Sequence, residues 1–193
     1  MSETTKQIVI VGDGTVGKTC LLHSYSNESF LESYVPTVYE KEVFDLELNG
    51  VVHTVKLIDT AGQEEYERVR KLFYKEANCF ILCYDVSNRN SFTNIMHKWV
   101  PELQNIDSWP VPIVLVATKV DLRENAHRPM ISTQEGQELS RKMNAYRFVE
   151  CSAKENIRIT DAIHEAVRAA VKGPIMVNDT RQSKPSFWGC CQR

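Results

Sequence analysis

One segment near the N-terminus restricts this chain to few architectures: Gly12-Asp13-Gly14-Thr15-Val16-Gly17-Lys18-Thr19. It satisfies the spacing G-x-x-x-x-G-K-[ST] in full. It also follows the apolar run Ile8-Val9-Ile10-Val11 and leads through Cys20-Leu21-Leu22 into a helical pattern. That strand–loop–helix setting gives the motif its chemistry. Glycines let the backbone wrap an oxyanion with successive N–H groups pointing inward, and the helix N-terminus adds a favourable dipole. Lys18 is placed to put its ammonium between the β- and γ-phosphates, and the Thr19 hydroxyl to bind Mg²⁺. The loop alone implies a nucleoside triphosphate without choosing the base.

The rest of the chain reads as the α/β frame such a loop needs. Strand candidates fall at Gln7–Val11, Val43–Leu48, Val52–Leu57, Cys79–Val86, Ile113–Thr118 and Arg147–Cys151. Several are continuous apolar runs, as parallel strands covered on both faces should be. Asn49-Gly50 predicts a hairpin, because both residues tolerate positive φ, and so one antiparallel edge strand. Phe92, Ile95, Met96, Trp99, Val100, Leu103 and Ile106 recur at helical spacing, with Pro101 as a local conflict. Ile159, Ala162, Ile163, Ala166, Val167, Ala170 and Val171 mark a last helix that Gly173-Pro174 should end. The expected fold is α/β, a six-stranded, mostly parallel sheet with one antiparallel edge strand and helices on both faces. A domain over residues 1–174 and a flexible tail over 175–193 complete the expected organisation.

Composition adds exclusions. A length of 193 residues suits one domain, and the formal net charge of −2 argues against a general nucleic-acid binder. Six cysteines without zinc-ligand spacing, and no secretory signal, imply a reduced cytosolic compartment. No run approaches the ~20 apolar residues of a membrane span.

Two segments after successive strands select the base. In Thr118-Lys119-Val120-Asp121, the aspartate carboxylate can accept from guanine N1–H and its 2-amino group, whereas adenine would leave it facing an acceptor. In Ser152-Ala153-Lys154 a backbone N–H can donate to guanine O6. A kinase or ATPase would leave Asp121 and these residues without a role. In Asp59-Thr60-Ala61-Gly62-Gln63-Glu64, Asp59 is placed to hold Mg²⁺ through a water, and Gly62 to bring its N–H onto the γ-phosphate.

These motifs together closely resemble the Ras superfamily over residues 6–172, the P-loop NTPase G domain. Details such as Thr118-Lys119-Val120-Asp121-Leu122-Arg123, Glu150-Cys151-Ser152-Ala153-Lys154 and Lys98-Trp99 before Pro101-Glu102 look more like its Rho/Rac branch. The resemblance implies a GTP/GDP switch that hydrolyses GTP slowly, with Mg²⁺ as cofactor. It implies that Gln63 orients the attacking water. It also makes Tyr34-Val35-Pro36-Thr37-Val38 the first switch, with Thr37 the second hydroxyl on Mg²⁺, Tyr34 closing over the phosphates and Phe30 packing on guanine. Implied partners are exchange factors, GTPase-activating proteins, a dissociation inhibitor and effectors such as kinases or formins. The implied role is signalling to the actin cytoskeleton by a monomer at the inner face of the plasma membrane. A permanently loaded, non-hydrolysing module is disfavoured by Gly14, Thr37 and Gln63. Rab-like trafficking is supported only by the double cysteine.

The departures from the Rho pattern are Ile58, where an aromatic residue is usual, Lys41 in place of Asn, and Lys71 and Phe73 in place of Pro and Ser. The stretch between Arg123 and Glu135 is too short for the full Rho insert helix. In the tail, Cys190 stands at a prenylation-box position; Cys190 and Cys191 could instead be doubly prenylated or palmitoylated, or the tail left unmodified.

Overall fold

The computed structural model describes residues 5–27, 39–124 and 126–174. Six strands form one sheet: β1 Lys6–Gly12, β2 Tyr39–Leu48, β3 Val51–Thr60, β4 Cys79–Asp85, β5 Ile113–Thr118 and β6 Arg147–Glu150, in the order β2-β3-β1-β4-β5-β6. Only β2 runs antiparallel, paired with β3 from Leu48↔Val51 to Tyr39↔Thr60. The turn between them has φ of 54° at Asn49 and 76° at Gly50, as the Asn-Gly pair requires. β2 begins four residues earlier than the sequence pattern suggests. Tyr39–Glu42 lie exposed on the edge, so burial leaves no apolar signature there.

The interior strands read as unbroken apolar runs because each face of the sheet has its own core. Ile8, Ile10, Val114 and Val116 pack with Leu21 and Leu22 of α1 (Lys18–Asn27) and with Ile159, Ile163 and Val167 of the last helix. Val9, Val11, Phe80, Leu82 and Leu115 pack on the other side with Trp99, Leu103 and Leu139. Each such fully buried aliphatic side chain contributes roughly 1.5–3 kcal/mol relative to exposure.

The helix candidate with the proline forms in three joined pieces: α3 Arg89–Asn94, a π-helical turn Ile95–Trp99, and α4 Val100–Gln104. α2, Glu67–Tyr74, precedes them in the chain. The conflict at Pro101 is thereby resolved. The wider turn, in which the Val100 N–H reaches the Ile95 carbonyl, brings Pro101 into the first turn of α4, where a missing N–H is tolerated. Among the described residues no helix lies between Arg123 and Ser132, in keeping with a reduced insert. The last helix, α6 Ile159–Lys172, ends at Gly173 with φ of 78°.

α5, Thr133–Lys142, starts with a capping box between Ser132 and Glu135, and Glu135 also pairs with Arg89 at 2.6 Å. Arg89 and the Ser132 N–H pull the Glu135 carboxyl from its usual 4.5 down to about 2. Because the folded value lies below the unfolded one, this stabilisation is present above about pH 4.5 and lost as the pH falls toward 2. Both partners are substantially exposed, so Glu135→Gln should cost no more than ~1 kcal/mol at pH 7. Urea titrations of parent and variant should converge near pH 2; a gap that persists there would show that the carboxylate's charge contributes nothing.

Candidate functional site

The loops after β1, β3, β5 and β6 meet at the carboxyl edge of the sheet, where β1 is flanked by β3 on one side and β4 on the other. This reversal of strand order is where open α/β sheets bind ligands.

The loop after β1 needs its glycines. Gly12 (φ 144°) and Gly17 (φ 98°) occupy backbone regions closed to other residues, and a Cβ on Gly12 would fall 2.4 Å from the Cys83 carbonyl oxygen. Thr15 is also left-handed, at φ 63°, a strained conformation for a β-branched side chain. Lys18 is buried and donates to the carbonyls of Gly12 (3.0 Å) and Asp13 (2.7 Å). Its burial lowers the ammonium pKa, opposed chiefly by the nearby Asp59. The Val16 side chain belongs to the core, while its carbonyl accepts from Thr118 Oγ1 at 2.5 Å.

The Asp13 carboxylate is turned away from the loop's interior, where Trp99 Nε1 and Asn94 Nδ2 each donate to it at 2.7 Å. What Asp13 offers an anion is therefore backbone. The Cys20 thiol is half-buried and its pKa is raised mainly by desolvation. That environment disfavours the thiolate a redox role requires and suits the packing role.

Asp59 lies at the end of β3 and is fully buried. Thr19 Oγ1 donates to its Oδ2 at 2.5 Å, while Oδ1 has no hydrogen-bond partner. Burial lifts this carboxyl to about 6, with Lys18 pulling the other way. A buried carboxylate oxygen left unpaired beside a threonine hydroxyl and a lysine is costly without a cation, so these residues fit a Mg²⁺ site. Among the described residues no cluster of His, Cys, Asp and Glu could hold a metal by itself.

Gly62 is packed so tightly on the phosphate loop that a Cβ there would lie 2.3 Å from the Gly12 carbonyl oxygen. Gln63 follows, with its side chain over Gly14: a Cβ on Gly14 would meet Gln63 Cδ at 3.9 Å.

On the far side, Thr118 Oγ1 also donates to Tyr84 O at 3.0 Å, tying β5 to β4 as well as to the phosphate loop. Lys119, left-handed at φ 60°, donates to Thr15 O and pairs with Asp85, each at 2.8 Å. Ser152 Oγ donates to Asp121 Oδ1 at 2.6 Å and so fixes that carboxylate. Ser24 Oγ donates to the Ala153 carbonyl at 3.3 Å. Leu122 is partly exposed, and Lys154 stands at the surface beside Glu155.

Of the candidates read from the sequence, Gly12–Cys20, Asp59, Gly62, Gln63, Thr118, Lys119, Asp121, Leu122 and Ser152–Lys154 all stand along this one edge. Phe30, Tyr34, Pro36 and Thr37 lie outside the described residues, as do Cys190 and Cys191. Sequence reasoning missed Asp85, Asn94, Arg70 and Glu102. Asp85 had a signal, an acidic residue closing an apolar strand; Glu102 had only its place in a Rho-like segment, and Asn94 and Arg70 had none. Ile58, the departure from the Rho pattern, is fully buried and faces Lys41 of β2 in register.

A model of the Ras family matches residues 7–172. Ras-like GTP-binding protein RhoL of Drosophila melanogaster is 44% identical over 168 residues, covering 87% of this chain and 88% of that protein. GTP-binding protein rho1 of Schizosaccharomyces pombe is 40% identical over 179 residues, 88% of each chain. Rho-related GTP-binding protein RhoB of Homo sapiens is 40% identical over 181 residues, 89% of this chain and 92% of that one. The family match spans every loop of the site just described, and so the chain belongs to the Ras family as a Rho-type small GTPase, a switch that binds GTP and Mg²⁺ and hydrolyses GTP to GDP.

Proposed function

We propose that the carboxyl edge divides the work of this switch as follows. The backbone of Gly12–Gly17 and the Lys18 ammonium hold the β- and γ-phosphates, and Thr19, Thr37 and Asp59 would hold Mg²⁺. The bound cation supplies charge neutralisation between the phosphates. Asp121 accepts from the guanine edge, a backbone N–H of Ser152–Lys154 donates to O6, and Leu122 and Phe30 pack on the base. Lys119 braces the base segment against the phosphate loop through Thr15 O, so base and phosphate recognition share one frame. Gln63 orients the attacking water and Gly62 contributes its N–H at the γ-phosphate. Thr37 and Gly62 sense the same phosphate, so GTP holds both switch segments and hydrolysis releases them.

The observation that carries this reading is the Asp59 carboxylate, buried with one oxygen unpaired beside Thr19 and Lys18. The test is GTP and GDP binding to the purified full chain, with and without Mg²⁺ and with ATP as competitor, followed by single-turnover hydrolysis. Tight, Mg²⁺-dependent guanine binding with slow hydrolysis is expected. Equal competition by ATP would overturn the base assignment.

Neither the phosphate loop nor residues 30–38 contain an arginine. A GTPase-activating partner therefore supplies one, raising turnover by about 10³–10⁵-fold. Exchange factors, a dissociation inhibitor and effectors such as kinases or formins complete the cycle, with output to the actin cytoskeleton. The domain ends near residue 174, and the segment after it brings the protein to the inner face of the plasma membrane through a lipid on Cys190 or Cys191. No helix of the described residues is long and apolar enough to cross a membrane. Mass spectrometry of the C-terminal peptide from native cells decides the modification.

A further inference from the structure

A buried polar cluster lies between α2 and α4, behind the segment that carries Gln63. Arg70 is 1% exposed, and its guanidinium grips Glu102 with two bonds, Nε to Oε1 at 2.9 Å and Nη2 to Oε2 at 2.7 Å. Tyr74 Oη donates to the same carboxylate at 2.7 Å. The remaining arm, Arg70 Nη1, donates to the backbone carbonyl of Gln63 at 2.8 Å. The guanidinium also lies over the Trp99 ring, 5.0 Å from its centroid, and Trp99 Nε1 in turn donates to Asp13 of the phosphate loop. At its other end α2 is tied to the sheet, because Gln7 Nε2 of β1 donates to the Phe73 carbonyl at 2.8 Å.

A buried ion pair is an expensive way to join two helices, and apolar residues of similar volume do that at least as well. What apolar residues cannot do is hold a carbonyl. Arg70 is the element that ties Gln63 to a helix already fixed to the phosphate loop through Trp99 and Asp13. We propose that Arg70, set by Glu102 and Tyr74, is a positioning residue for hydrolysis: it fixes the Gln63 backbone so that the side chain lies over Gly14. The inference rests on the assignment of Gln63 as the residue that orients water.

Three variants of the full chain test it, each read by single-turnover GTP hydrolysis, by GTP and GDP dissociation constants and by thermal midpoint. Arg70→Lys keeps a cation for Glu102 but has one nitrogen where three bonds were made. The triple variant Arg70→Met/Glu102→Leu/Tyr74→Phe removes every side-chain polar end of the cluster together and leaves the Gln63 carbonyl its weaker bond from the Tyr66 N–H at 3.3 Å, so folding is preserved. Both should slow hydrolysis by ~10-fold, a loss of the size that small misplacements near a reacting centre produce, with nucleotide affinity within about two-fold of the parent. The third places Arg70→Lys on Gln63→Leu. There it should cause no further slowing, because the side chain it positions is gone.

Parental hydrolysis in Arg70→Lys, or an equal additional loss in the Gln63→Leu background, overturns the inference while leaving the Gln63 assignment standing. A fall in nucleotide affinity matching the fall in rate also overturns it, since that marks a merely structural cluster. Parental hydrolysis in Gln63→Leu alone overturns the Gln63 assignment first, and this inference with it.

Discussion

Replacing Asp121 with alanine is expected to lower GTP affinity by about 10²–10⁴-fold and to reduce the preference for guanine over adenine by a similar factor, leaving only the discrimination that the O6 contact supplies. The size follows from two charge-assisted hydrogen bonds to the base edge at roughly 1.5–3 kcal/mol each, with every 1.4 kcal/mol worth tenfold. The carboxylate that makes them is pre-set, since Ser152 Oγ holds Oδ1 at 2.6 Å and little side-chain entropy is lost when a base arrives. Ser152→Ala should therefore cost less, about tenfold, by loosening the carboxylate without removing it. ATP binding should be unharmed in either variant, because adenine gains nothing from an acceptor at that position. Competition between labelled GTP and unlabelled ATP measures all of this directly. An undiminished guanine preference in Asp121→Ala would move base recognition away from the segment after β5.

Gln63→Leu is expected to bind GTP with unchanged affinity and to hydrolyse it about 10- to 100-fold more slowly, the scale on which loss of an orienting contact acts. The side chain sits over Gly14, at the mouth of the phosphate loop, while Lys18 is held by the Gly12 and Asp13 carbonyls and Thr19 bonds Asp59. Leucine has similar volume, so the segment after β3 should keep its packing on the loop. The combination of normal affinity and slow single-turnover hydrolysis distinguishes a role in the transition state from one in binding. An unchanged rate would leave the water to be oriented by another group.

These two residues mark how far the site could be read without coordinates. Asp121 and Gln63 each stand just after an apolar strand in a recognisable segment, and the structure sets both at the sheet edge the sequence implied. The phosphate loop was legible for the same reason. A strand, a turn that only glycines can make, and a helix start are local features, written in consecutive residues. Asp13 was only half legible: its place in the loop is local, whereas the direction of its carboxylate depends on Trp99 and Asn94, more than eighty residues away.

The class of fold, six strands with one antiparallel edge hairpin, and the positions of the loops that meet nucleotide were written in local stretches of the chain. Periodicity, Asn49-Gly50, the phosphate loop and Gly173 all act over a few residues, where backbone sterics and burial decide alone. Tertiary structure decided the rest. The edge residues Tyr39–Glu42 pair with β3 although nothing buries them, so only the partner strand reveals that they are extended. Pro101 opposed a regular helix, and a π-helical turn absorbed it because Trp99 and Leu103 both had to reach the same core. Arg70 and Glu102 meet across 32 residues of chain. An arginine on a helix reads as a solvated charge until packing brings a carboxylate and the Gln63 carbonyl within its reach, and packing is a property of the whole sheet with its helices in place.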